Sequence, residues 1–193
     1  LNFPTALTVD NENNIYVVEM GGSVKRIEVA KTDTIGDPNV TTVFGGLTGS
    51  PQGIEFLDNG DLAISDTGNH QIHFFKTDGT FISSLGNFGV SGNALGVQAP
   101  GRAFFNSPKK IAKAGDGVLV VADSANHRVL QINANMEVSL LYGADPDLWT
   151  SLLADFPGIS PILLLPGWLD GEGEDAWSRL PEGVAVNGNG NPQ

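Results

Sequence analysis

The chain has 193 residues, 40% of them hydrophobic and 17% charged. That suits one or two packed domains rather than a disordered chain. It holds 10 basic against 22 acidic side chains and no Cys. This excludes disulfide frameworks, thiolate zinc sites and Cys nucleophiles, and it argues against a nucleic-acid partner, whose phosphates need clustered Lys and Arg. No apolar run is long enough to cross a bilayer as a helix. The longest, from Ile159 to Leu169, is broken by Pro161 and Pro166, so no membrane span is expected. There is no initiator Met and no signal peptide, which reads as a removed leader or a piece of a longer chain.

The sequence repeats. Phe3-Pro4-Thr5-Ala6-Leu7-Thr8-Val9, Ser50-Pro51-Gln52-Gly53-Ile54-Glu55-Phe56 and Ser107-Pro108-Lys109-Lys110-Ile111-Ala112-Lys113 align without gaps. Each leads through a polar turn and an apolar run to an acid. Pro4 leads to Glu19, Pro51 to Asp66 and Pro108 to Asp123, at the same spacing each time. A fourth copy opens at Leu180-Pro181-Glu182-Gly183-Val184. The interval grows from Pro4 to Pro51, from Pro51 to Pro108 and again from Pro108 to Pro181, so the repeats lengthen through their connections.

Within a repeat, four strands are predicted. The first follows the proline (Gln52 to Leu57). Its tip is rich in Asn, Asp and Gly (Asp58-Asn59-Gly60, Gly115-Asp116-Gly117), residues that accept the positive φ of tight hairpins. The second strand is apolar and buried on both faces (Leu62 to Ser65, Val118 to Ala122). The third follows an Asp-x-x-Asn-His turn (Gln71 to Lys76, Arg128 to Asn133), and the fourth is Phe81 to Leu85 and Glu137 to Leu141. Four short antiparallel strands recurring at this spacing are the blades of an all-β propeller.

Asp66-Thr67-Gly68-Asn69-His70-Gln71-Ile72 and Asp123-Ser124-Ala125-Asn126-His127-Arg128-Val129 resemble the NHL repeat, as do Pro51-Gln52-Gly53-Ile54 and Pro181-Glu182-Gly183-Val184 before such turns. The first repeat departs from the pattern, with Glu19-Met20-Gly21-Gly22-Ser23 one residue shorter. The resemblance implies a propeller of about six blades, of which this chain supplies three and the opening strand of a fourth. The expected division is blades at about 1–46, 47–105 and 106–142, a long insertion at 142–180 and the next blade's start at 180–193. An open arc exposes apolar blade faces, so the remainder is expected from further sequence or another subunit.

Because Glu19, Asp66, Asn69, Asp123 and Asn126 recur once per blade, they read as structural caps. The acids would accept backbone N–H groups two or three residues on. His70 and His127 match each other a blade apart and cannot readily converge on one metal. His73 occurs in a single blade, with no partner evident nearby. Asp10-Asn11-Glu12-Asn13-Asn14 and Asn187-Gly188-Asn189-Gly190-Asn191 alternate oxygen donors, but they stand where each repeat has its hairpin tip.

The resemblance places the innermost strand against the central channel, with Thr5, Gln52, Lys109 and Glu182 directly after the prolines. Amidating lyases of this family carry metal-binding His there, and this chain has none. Gluconolactonase-type relatives hold calcium with Glu, Asn and Asp. Glu182 matches one such ligand, while Lys109 in the same ring opposes a divalent cation. Lys109, Lys110 and Lys113 form the one dense basic cluster and read as solvated strand ends.

The long insertion carries all three Trp residues and, from Tyr142 to Glu182, eight acids against Arg179 alone. Asp147 to Ala154 has helical spacing. Trp149, Trp168, Trp177, Leu163, Leu164 and Leu165 read either as a lid on the chain's own blade or as anchors for a protein partner. The favoured reading is a non-catalytic binding or scaffold module without cofactor, within a larger protein or complex, whose partner is a protein or further blades. A calcium-dependent hydrolase or lactonase, with Glu182 in its carboxylate ring, is the alternative. A ligand-sensing propeller with a metal-free pocket at a channel mouth is the other. The Cys-free, acidic, Asn- and Gly-rich composition points to a secreted, periplasmic or lumenal setting.

Overall fold

A computed structural model of the chain describes residues 1–29, 39–99, 101–143 and 181–184. These form three four-stranded antiparallel sheets, each a meander in chain order. The first contains β1 (Pro4–Val9), β2 (Ile15–Glu19), β3 (Val24–Glu28) and β4 (Asn39–Phe44). The second contains β5 (Gly53–Phe56), β6 (Asp61–Asp66), β7 (Gln71–Lys76) and β8 (Phe81–Leu85). The third contains β9 (Pro108–Lys113), β10 (Leu119–Asp123), β11 (Arg128–Ile132) and β12 (Val138–Gly143). The opening strands lie side by side, β1 against β5 and β5 against β9. The architecture is that of propeller blades, and the three do not close into a ring among the described residues.

The second strand of each blade explains the packing. Alternate residues of a strand face opposite sides, so Leu62 and Ile64 of β6 join Tyr16, Val18, Ile54, Phe56 and Phe75 between the first two blades. Ala63, on the other face, joins Ile72, Phe74, Ile111, Leu119 and Val121 between the second and third. The core is therefore two slabs, one per interface, and a central second strand must be apolar throughout.

Polar turns close the hairpins as the residue types require. In the first tip, Asp10 Oδ1 accepts the N–H groups of Glu12 at 2.9 Å and Asn14 at 2.8 Å. Asn13 takes the left-handed φ of 67°. After β6 and β10, short 3₁₀ turns end on His70 and His127, both left-handed at φ 57° and ψ 37°. The first blade instead turns through Gly22 at φ 83°, whose N–H donates to Glu19 O.

The connection from β8 to β9 is built round Arg128. This side chain is fully buried and is an ion-pair partner of Asp123, Nε to Oδ2 at 2.8 Å. Its other nitrogens donate to Asn93 O at 3.0 Å and Phe104 O at 2.8 Å. That holds Phe104 and Phe105 in the slab between blades two and three. Removing the guanidinium leaves a buried carboxylate without its counter-ion and two carbonyls without their donor. Arg128→Met is therefore expected to cost about 3–5 kcal/mol in urea unfolding, against at most about 1 kcal/mol for Lys113→Met, whose ion pair is exposed.

Candidate functional site

The repeated acids sit at the ends of the second strands, and their donors are not those the turn sequence suggests. Neither 3₁₀ turn has a side-chain cap bond from its acid. Each acid accepts a backbone N–H from well before its own strand, two residues ahead of the repeat's proline. Asn2 N reaches Glu19 Oε1 at 2.6 Å, Gly49 N reaches Asp66 Oδ1 at 2.8 Å, and Asn106 N reaches Asp123 Oδ1 at 2.6 Å. The correction has a simple cause. The backbone entering the first strand passes over the end of the second, closer to the carboxylate than the turn's own amides. Asn69 and Asn126 do serve their acids, through side-chain bonds of 2.7 and 2.8 Å to Oδ2.

Each acid also meets a different basic side chain from its blade's third strand. Lys25 lies 3.9 Å from Glu19, His73 Nε2 lies 3.4 Å from Asp66, and Arg128 bonds Asp123. His73 thus has a partner that its sequence neighbours did not reveal. Its Nδ1 is buried without one. Burial pushes the Asp123 carboxyl up, against the pull of Arg128 and two amide donors. At Asp66 burial acts the same way, but His73, Asn69 and the Gly49 N–H outweigh it and hold the carboxyl below its usual range.

Further polar side chains stitch one blade to the next. Thr5 Oγ1 donates to Pro51 O at 2.8 Å, and Thr8 Oγ1 accepts Phe56 N at 3.0 Å. Between the second and third blades, Thr67 Oγ1 donates to Pro108 O at 2.8 Å and Ser65 Oγ to Lys109 O. His70 Nδ1 accepts the N–H of Ser107 at 2.9 Å, so the ring carries its proton on Nε2.

Where the opening strands converge lies a space of about 490 Å³, lined by Thr5, Leu7, Ile54, Glu55, Lys110 and Ile111 among others. Of the four residues after the prolines, it takes in Thr5. Lys109 instead pairs with Glu182 at 2.6 Å, and Gln52 is half-buried directly before β5. Lys113 pairs with Asp58 at 2.8 Å. Lys110 is not a solvated strand end. Its Nζ crosses to Thr5 O at 2.8 Å, linking the third blade to the first. Burial draws its ammonium below the ordinary lysine range. Among the described residues no group of three or more His, Asp or Glu could hold a metal ion, and no helix is long and apolar enough to cross a membrane. Trp149, Trp168, Trp177, Leu163, Leu164, Leu165, the Asp147 to Ala154 helix and the Asn187 to Asn191 tip lie outside the described residues.

Glu55 is the acid that sequence reasoning passed over. It pairs across the hairpin with Ala63, where the other blades place Thr8 opposite Tyr16 and Ala112 opposite Val120. An acid at a position otherwise held by Thr and Ala was the available signal. Burial raises its carboxyl to about 7, opposed by Lys113 and reinforced by Asp58. The folded state therefore binds this proton more tightly than the unfolded chain, whose Glu titrates near ~4.3. Its contribution to stability is complete below that value and is lost as pH rises through about 7. Thermal unfolding midpoints should show a Glu55-dependent fall between about pH 4.5 and about 7.5, and Glu55→Gln should remove that part of the slope.

Residues 48–75, which span β5, β6 and all but the last residue of β7, match the family model of the NHL repeat. A probable peptidyl-alpha-hydroxyglycine alpha-amidating lyase of Caenorhabditis elegans is 34% identical over 103 residues, which are 51% of this chain and 27% of that protein. A Bacteroides thetaiotaomicron protein of unknown function superposes with a TM-score of 0.75 at 16% identity, over 98% of this chain and 43% of its own. An auxiliary nutrient binding protein of Bacteroides ovatus follows at 0.66 and 15%, over 95% of this chain and 43% of its own. The chain thus spans about a quarter of the curated relative and about two fifths of these solved structures. At such identities the structural likeness shows the fold alone.

Proposed function

From a chain that carries the NHL repeat and folds into propeller blades, we propose a non-catalytic binding module. It acts within a larger protein or complex in a secreted, periplasmic or lumenal setting. One observation carries the reading: the polar groups that recur where each first strand enters and each second strand ends are already engaged in holding the blades together. Asp66 and Asp123 each hold a backbone N–H and an Asn amide of their own blade. Thr5, Thr67 and His70 bind the backbone of the next blade. A general acid or metal ligand needs a free lone pair or proton aimed at a substrate, and these groups have theirs turned inward. Binding then falls to surfaces, and the insertion with Trp149, Trp168 and Trp177 supplies the anchor residues that interfaces favour.

The second reading rests on the C. elegans relative, whose name is that of a lyase acting on peptidyl-alpha-hydroxyglycine. It gives this chain the same cleavage, with a metal supplied from solution or from further blades. Two measurements separate them. A peptidyl-alpha-hydroxyglycine substrate incubated with the purified chain, with and without added zinc or calcium, should yield no amidated peptide above the blank. Turnover that depends on the chain would overturn the binding reading. In parallel, the immobilised chain should retain a protein from an extract of its source that the Trp149→Ala, Trp168→Ala, Trp177→Ala triple variant does not. Equal retention by both removes the tryptophans from the proposal.

A further inference from the structure

At the hairpin-tip end of the blades, successive interfaces form two equivalent clefts, and the two differ in chemistry. The register fixes the equivalence. Tyr16 faces Arg26 across the first blade as Ala63 faces Phe74 across the second. The cleft between blades one and two is polar, with Asp10, Tyr16, Arg26 and Asp78 in its walls. In the cleft between blades two and three, Phe74 stands where Arg26 stood, and Ala63 replaces a whole phenol ring.

This second cleft encloses about 410 Å³ and is floored by Leu57, Phe74, Leu119, Ile132 and Met136. Phe74, Leu119 and Ile132 are buried side chains of the core slab. A volume of this size is within the range of small-molecule sites. Left to itself it is a defect, because apolar walls facing a void forfeit their packing contacts. Met136 adds an adaptable thioether wall.

Charge decides what enters. The charged side chains lining the mouth are Asp58, Asp61 and Lys113, two acids and one base. Lys113 holds Asp58 through a solvent-exposed pair, the kind that contributes little and exchanges readily. Asp61 takes Asn59 Nδ2 at 2.8 Å and forms a second exposed ion pair, with Lys76 at 3.9 Å. An incoming ammonium can therefore reach both carboxylates by exchanging with Lys113 at Asp58 and competing with the longer, more exposed Lys76 contact at Asp61. An incoming carboxylate would face both acids.

We propose that the cleft between the second and third blades binds a small cationic amphiphile, with its amine at Asp58 and Asp61 and its apolar body over Phe74 and Met136. This goes beyond the protein-binding role of the tryptophan insertion and uses none of its residues.

The test compares three ligands of one shape on the full chain: 2-phenylethylamine, 2-phenylethanol and 3-phenylpropionate, followed by ligand-observed NMR titration. The amine should bind most tightly and the carboxylate most weakly. Asp61→Asn should weaken the amine roughly tenfold and leave the alcohol unchanged. Ala134→Phe, which fills the cleft from an exposed position on its wall, should abolish binding of amine and alcohol alike. Near-ultraviolet circular dichroism should show both variants folded. The proposal is overturned if the carboxylate or the alcohol binds as well as the amine, if Ala134→Phe leaves binding intact, or if none of the three binds.

Discussion

Each blade depends on one hydrogen bond: the carboxylate at the end of its second strand accepts an N–H from the backbone that enters its first. The bond ties the entrance of the first strand to the exit of the second. It also secures an awkward conformation. The residue between that N–H and the proline is left-handed in all three blades, with φ of 49° at Phe3, 54° at Ser50 and 52° at Ser107. A residue before proline is normally driven to extended backbone, and a non-glycine residue in the left-handed region is strained. The carboxylate fixes the peptide just before this kink. In the third blade His70 fixes the kink itself by accepting the N–H of Ser107.

The same carboxylate is a liability when buried, since an isolated charge in the core is costly. The third strand compensates differently in each blade. Lys25 reaches Glu19 only at 3.9 Å. His73 approaches the buried Asp66 at 3.4 Å. Arg128, buried outright, binds Asp123 and then uses its remaining donors to order the long connection before its own blade. A repeat thus keeps the acid and varies the basic side chain that faces it, and the blade with the most buried acid pairs it with the side chain that has the most donors.

The periodic part of this was legible in the sequence. The prolines, the acids at constant spacing after them, the Gly- and Asn-rich tips and the doubly apolar second strands fix four strands per blade. The observed Gln71–Lys76 and Phe81–Leu85 have the expected bounds. What the sequence did not reveal is contact at long separation. The bond from the first strand's entrance to the acid links segments whose closeness arises only once β1 and β2, or their equivalents, have paired. His73 finds Asp66 because β6 and β7 are adjacent, and Lys110 finds Thr5, a whole blade and more away in sequence, because the opening strands converge. Turn chemistry is local and readable, whereas a partner chosen by the assembled sheet is not.

The same distinction bears on where function can reside in such a chain. A repeat constrains each blade twice, once by its own hydrogen bonds and once by its neighbour's. Residues that recur at matching positions are those least free to do anything else. Freedom lies where equivalent positions diverge: Tyr16 against Ala63, Arg26 against Phe74, and Glu55 among Thr8 and Ala112. None of these changes is needed to build a blade, because both versions fold into the same four-stranded sheet. Each alters the volume or charge of a cleft or of the central space while leaving the strand pairing intact. In a propeller, then, departure from the repeat is the better guide to a binding site than the repeat itself.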